Sequence, residues 1–155
     1  MKIKTLEEIL PIVADLQKRN KKIVFTNGCF DIIHAGHVKY LEDARALGDV
    51  LIVGMNSDSS VKRIKDSSRP IIPEEERAIV LSGLNSISYI ILFKEDTPYN
   101  LIKNIKPEIL VKGGDWKSEQ IVGSDIVLSN GGEVKSLMFR NGISTTEIIN
   151  RIKKI

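Results

Sequence analysis

The apolar positions of this chain switch period many times between its ends. Leu6, Ile9, Leu10, Val13 and Leu16 fall at helical spacing. Thr5-Leu6-Glu7-Glu8 ahead of them reads as a capping box. A helix is expected to reach about Arg19, with Pro11 too late for the first helical position and a bend in the opening turns. Residues 23–26 form a short strand. Val38, Leu41, Ala44 and Leu47 return to helical spacing, and Gly48 suits the residue just past a helix end. Residues 50–55 are continuously apolar, as in a strand buried on both faces. A short helix is expected over 59–65 and a polar loop over 66–70. Pro73 with Glu74, Glu75 and Glu76 opens a helix to about 84, the acids at its positive end. A third strand covers 88–93, and Asp96-Thr97-Pro98 caps a helix to about 105. Further strands are expected at 109–111 and 133–138, separated by a helix at 124–130 that Gly131-Gly132 stops. Ser144-Thr145-Thr146-Glu147 is a second capping box. It opens a last helix carrying Ile148, Ile149 and Ile152.

Strands and helices thus alternate without internal repeat. That order predicts an α/β, Rossmann-like, doubly wound parallel sheet of about five strands with helices on both faces. Residues 1–155 are expected to form a single domain. Ligands of such sheets bind outside the carboxyl ends of the strands. The unusual stretches 26–37, 56–58, 112–115 and 140–146 all fall at that edge.

Composition narrows the ligand. The 155 residues are 42% hydrophobic and 28% charged, with a net charge of +3. These values suit a globular protein with a mildly cationic surface. They do not form the concentrated basic stripe of a nucleic-acid binder, and aromatic content of 5% is low for a base-stacking platform. One Cys precludes an internal disulfide and fits a reducing compartment. The charged start of the chain lacks a signal-peptide core, and no apolar run is long enough to span a bilayer. The expectation is a cytoplasmic protein with neither a nucleic-acid nor a membrane partner.

The densest chemistry lies in Asn27-Gly28-Cys29-Phe30-Asp31-Ile32-Ile33-His34-Ala35-Gly36-His37. It follows a strand, opens a helix and holds both histidines of the chain. A helix start presents free N–H groups and positive potential to an anion. Gly28 permits a tight turn and Gly36 a close approach of ligand to backbone. Either His alone reads most simply as a cap or a packed side chain; two of them around a glycine point to phosphate. A zinc site is disfavoured, since the single Cys29 does not complete a tetrahedron.

His34-Ala35-Gly36-His37 resembles the His-x-Gly-His signature of the nucleotidylyltransferase superfamily, which includes the cytidylyltransferases. With Thr26 to Asp31 before it, the run is similar to the enzymes that make nucleotide-activated heptose, the heptose 1-phosphate adenylyltransferases. The similarity extends over nearly the whole chain. It includes Asn56-Ser57-Asp58, Lys65 with Arg69-Pro70, Arg77, Lys112-Gly113-Gly114-Asp115-Trp116 and Ser144-Thr145-Thr146. The resemblance implies catalytic roles for His34, His37 and Lys65. It implies nucleotide or phosphate contacts for Thr26, Asn27, Gly28, Cys29, Phe30, Asp31, Gly36, Asn56, Asp58, Arg69, Arg77, Lys112, Gly113, Gly114, Asp115, Ser144 and Thr145. Simpler readings stand beside several of these. Asp31 suits a turn residue capping local N–H groups. Lys65 and Arg69 suit solvated charges, Arg77 a helix-surface pair with Glu74, and Ser144 and Thr145 plain caps. Ile143 is as in glycerol-3-phosphate cytidylyltransferases, whereas Phe139 and Gly114 favour the heptose group, with Arg140 a substitute for the arginine that the glycerol enzymes carry.

The implied reaction is attack of a sugar phosphate on the α-phosphorus of a nucleoside triphosphate, ATP ahead of CTP or GTP. Pyrophosphate leaves, and Mg²⁺ binds through substrate phosphates rather than a protein cage. The nucleophile is already an oxyanion, so no general base is needed, and catalysis is positioning and charge stabilisation. Glycerol 3-phosphate with CTP, or a flavin or pantetheine phosphate, is the alternative acceptor; a nucleotide-binding module without catalysis is a third reading. A homodimer and a separate sugar kinase are the expected partners.

Overall fold

The computed structural model describes residues 1–138 and 142–155. Its centre is a six-stranded sheet in which every paired neighbour is parallel, in the order β1-β4-β3-β2-β5-β6. The strands are β1 (Ile3–Lys4), β2 (Ile23–Gly28), β3 (Val50–Asn56), β4 (Tyr89–Phe93), β5 (Ile109–Gly113) and β6 (Glu133–Leu137). The helices are α1 (Leu6–Lys18), α2 (Ala35–Arg45), α3 (Asp58–Ile64), α4 (Glu74–Ser82), α5 (Tyr99–Ile105), α6 (Ser124–Ser129) and α7 (Thr145–Ile152). The strand count of about five is therefore corrected to six. The extra strand, β1, has two residues and pairs at the edge through Ile3 with Ile90 and Lys4 with Ile91. Two residues carry no detectable period.

Alternation of side chains along each strand sorts the core into two layers. Ile23 and Phe25 of β2 and Leu110 of β5 pack with Ile9 and Val13 of α1, Ile102 of α5 and Val127 of α6. Val24 of β2 and Ile109 and Val111 of β5 pack on the other face with Leu41 and Ala44 of α2 and Leu81 of α4. β3 is buried almost throughout, which explains its continuous apolar run. The capping box at Thr5 forms as expected: the Glu8 N–H donates to Thr5 Oγ1 and the Thr5 N–H to the Glu8 carboxylate. Pro11 is exposed and is accommodated inside a helix that continues to Lys18.

The direction of winding reverses at β2. The chain moves outward through β3 to β4, then crosses back by α5 to place β5 on the other side of β2. The crevice at the carboxyl ends of β2 and β5 is the switch point where ligands of open α/β sheets bind.

Candidate active site

A cavity of about 610 Å³ occupies that crevice. Of the residues singled out from the sequence, Asn27, Gly28, Cys29, Phe30, Asp31, His37, Asn56, Lys65, Arg69, Lys112, Gly113 and Thr145 line it. Thr26, His34, Gly36, Asp58, Arg77, Gly114, Asp115 and Ser144 do not. Phe139 and Arg140 lie outside the described residues.

The two histidines form a stacked pair at the start of α2, with ring centroids 3.9 Å apart and an interplanar angle of 26°. His34 is the N-cap, its backbone extended and its carbonyl accepting the His37 and Val38 N–H groups. The Nδ1 atoms of both rings are buried and make no well-formed hydrogen bond with the described residues. Burial lowers the pKa of His34, opposed by the charge of Glu147. Burial, and then the neighbouring His34, depress His37 to about 4, opposed by the Ile32 carbonyl. Both rings are therefore neutral near pH 7 in the free protein, and an anion in the cavity favours their protonation.

The glycines act differently from the roles their positions suggested. The left-handed residue of the turn is Phe30, at φ 48°. A bulky side chain is uncommon there. This conformation sets the Phe30 ring edge-on to His37, with centroids 5.4 Å apart. A Cβ on Gly28 would lie 3.0 Å from the Phe30 ring, and one on Gly36 would lie 3.0 Å from His34 Nδ1. Both glycines make room for aromatic side chains of the site.

Asp31 does not cap its own turn. Buried at the foot of the cavity, it accepts from Arg69 Nε at 2.6 Å, from the Ile71 N–H at 2.8 Å and from the Ile72 N–H at 2.8 Å. Burial alone would raise this carboxyl. The two N–H groups and the arginine outweigh it and hold the pKa below the usual carboxylate range. Asp31 thereby fastens residues 66–73, the loop that carries Arg69, to the histidine turn.

Arg77 corrects the surface reading most clearly. It is 0% exposed and makes no pair with Glu74. Its guanidinium donates to the carbonyls of Cys29, Asn56 and Ile72 and, at 2.7 Å, to Asp58. Glu74 instead accepts the Asp58 N–H at 2.6 Å. Arg77 lies beneath the cavity and ties together the loops after β2 and β3 and the loop before α4. Thr26 is likewise structural: it is fully buried, and its hydroxyl lies 2.6 Å from Tyr40 Oη. Ser144 caps α7 by accepting the Glu147 N–H, while Thr145 donates to the Ile32 carbonyl and binds α7 to the histidine turn.

Lys65 and Lys112 enter the cavity without an ion pair among the described residues. The acids on the cavity wall are already engaged, Asp31 by Arg69 and Asp96 by Arg63 at 2.7 Å. Burial pushes the Cys29 thiol up against the opposing effect of nearby cations, so it is not a ready nucleophile. The sequence reading did not single out Tyr40, Thr97, Pro98, Gln120 or Ile121 of the cavity wall. Thr97 and Pro98 carried a signal only as a helix cap.

Residues 25–151 match the family described as cytidylyltransferase-like. The chain belongs to that family. Among its relatives, the bifunctional protein HldE of a Nitratiruptor species is 58% identical over 151 residues, covering 97% of this chain and 32% of that protein. The bifunctional protein HldE of Campylobacter concisus is 58% identical over 152 residues, covering 98% and 31%. The chain thus spans about a third of the length of these curated relatives. Among solved structures, the lipopolysaccharide core biosynthesis protein of Thermoplasma volcanium superposes with a TM-score of 0.62 at 27% identity, over 79% of this chain and 99% of that one. Pantoate-beta-alanine ligase of Francisella tularensis, at 17% identity and a TM-score of 0.63 over 100% of this chain and 78% of that one, shares the fold. Among the described residues no helix is long and apolar enough to cross a membrane.

Proposed function

We propose that this chain transfers a nucleotidyl group to a sugar phosphate, most specifically AMP from ATP to D-glycero-D-manno-heptose 1-phosphate, with release of pyrophosphate. The observation that carries the reading is one cavity lined by His37, whose ring stacks on His34 at a helix start, together with two lysines that have no acidic partner among the described residues. The family match and the 58% identity to bifunctional HldE proteins support the same chemistry.

The acceptor phosphate oxygen attacks the α-phosphorus, the bond from α-phosphorus to the bridging oxygen breaks, and pyrophosphate departs with that oxygen. The acceptor brings its own negative charge, so the protein supplies no base. The N–H groups at the start of α2 and His37 stabilise charge growing on the phosphoryl oxygens, and His34 backs His37 through the ring stack. Mg²⁺ comes with the triphosphate as part of the substrate. Asp31 and Asp96 on the cavity wall are held by arginines.

The test is pyrophosphate release from ATP, CTP and GTP against heptose 1-phosphate, glycerol 3-phosphate and heptose lacking the 1-phosphate. Turnover is expected with ATP and heptose 1-phosphate, to need Mg²⁺, and to vanish without the 1-phosphate. Strong activity with CTP and glycerol 3-phosphate, and none with any heptose 1-phosphate pair, would transfer the assignment to a glycerol-3-phosphate cytidylyltransferase.

A further inference from the structure

Side-chain alternation along the strands sorts residues lining the cavity to the two sides of the sheet edge, an α2 lobe and an α5 lobe. Val111 of β5 belongs to the layer packed on α2, and Leu110 to the layer packed on α1, α5 and α6. Lys112 therefore leaves the sheet on the Leu110 side. Phe25 of β2 packs on that same side, which places Asn27 there too. Thr97 and Pro98, at the approach to α5, complete this lobe. His37 stands in the opposite lobe at the start of α2, with Thr145 at the start of α7 beside it.

In-line displacement requires the attacking oxygen and the departing pyrophosphate on opposite sides of the α-phosphorus. A site with one anion-binding lobe on each side of the sheet edge meets that demand. The α2 lobe offers helix N–H groups and the His37 imidazole, a cradle for a chain of phosphates. The α5 lobe offers a single strongly placed cation. Lys112 is half-buried, and its electrostatic neighbours are the Cys29 thiol and Lys65, which carries a like charge. A partly desolvated ammonium beside another cation is costly unless an anion joins them.

We propose that Lys112, with Lys65 facing it, binds the phosphate of the acceptor sugar in the α5 lobe and not the nucleotide. This rests on the nucleotidyl-transfer reading and narrows the resemblance, which gave Lys112 as a nucleotide or phosphate contact. Lys112 holds the acceptor phosphate so that one of its oxygens forms the new bond to the α-phosphorus. Its charge offsets the repulsion between two anionic substrates.

The experiment uses the full chain and the Lys112→Met and Lys112→Arg variants, with thermal denaturation to establish folding. Calorimetry measures affinity for a non-hydrolysable Mg–ATP analogue, and then for a sugar 1-phosphate added to the analogue-saturated protein. Lys112→Met should weaken sugar-phosphate binding about tenfold to a hundredfold, the scale of one charged hydrogen bond. Its affinity for the analogue should change by no more than about twofold, and Lys112→Arg should recover part of the loss. The same split is expected in KM values, with the sugar-phosphate KM rising and the ATP KM unmoved. Equal weakening of both ligands, or no weakening of the sugar phosphate, overturns the proposal. If the unaltered chain binds sugar 1-phosphate with this Lys112 dependence but releases no pyrophosphate, the acceptor site stands and the reading of catalysis fails.

Discussion

At the scale of single residues, the site works through side chains whose neighbours set their state. His37→Ala should lower turnover by about a hundredfold, the scale of one lost transition-state donor, and His34→Ala should lower it by a similar factor by removing the ring that positions His37. Their neutral resting state follows from burial. Steady-state kinetics on folded variants checks this, and near-normal turnover would remove the pair from catalysis. Gly36→Ala is expected to act through His34, because the added Cβ meets a ring already packed against His37. Cys29→Ser should keep turnover within a few fold, since the proposed nucleophile is the acceptor phosphate and burial keeps the thiol protonated. Loss of turnover with nucleotide binding intact would instead give the thiol a chemical role. The sequence made His34 and His37 legible because their spacing after a strand is itself a pattern. It did not separate residues that line the cavity from residues that hold it. Thr26 and Arg77 belong to the second group, and a buried hydroxyl or guanidinium leaves the same letter in a sequence as an exposed one.

At the scale of elements, two buried charged groups fix the loops that meet around the cavity. Asp31 holds the loop before α4 from the side of the histidine turn, and Arg77 holds it from below. Removing Arg77 leaves the Cys29, Asn56 and Ile72 carbonyls without their donor and Asp58 without its cation. Arg77→Met is therefore expected to cost about 3 kcal/mol or more of stability, since each carbonyl left without its donor costs about 1–3 kcal/mol, while the partly exposed Asp58 adds less. Urea unfolding measures it, and a loss below about 1 kcal/mol would mean that other donors replace the guanidinium. Asp31→Asn should spare the core and release residues 66–73, seen as faster amide exchange at Ile71 and Ile72. Most element boundaries were readable from apolar period and caps, including both capping-box starts. The edge strand β1 and the 3₁₀ turn Ser118–Gln120 were not, because neither is longer than one period of the pattern that would reveal it. The carboxyl-edge location of the site was legible from strand order alone. Its α5 wall was not, since Thr97 and Pro98 end one element and open another with no chemistry of their own.

At the scale of the whole molecule, the histidine pair couples folding, pH and ligand. An unfolded histidine takes up a proton near pH 6.5, whereas His37 in the fold does so only near about 4. Between those values the unfolded chain binds more protons than the native one. The stability associated with neutral His37 is therefore fully present above about pH 6.5 and falls as the pH drops toward about 4. His34, also lowered, acts in the same direction. On the proposed function, a triphosphate in the α2 lobe would reverse the balance, because its negative charge favours the imidazolium and raises the pKa of His37. The nucleotide-bound fold then accepts a proton that the free fold refuses, and binding strengthens as the pH falls. The rise in melting temperature given by a fixed concentration of a Mg–ATP analogue should thus grow from about pH 7.5 to about pH 5.5. In His37→Gln, which cannot titrate, that growth should be reduced to the smaller contribution of His34. Thermal denaturation across this range, with and without the analogue, measures both. A shift that stays constant or shrinks toward acid in the unaltered chain would mean that the phosphates do not lie against the histidines, and the triphosphate would have to be placed elsewhere in the cavity.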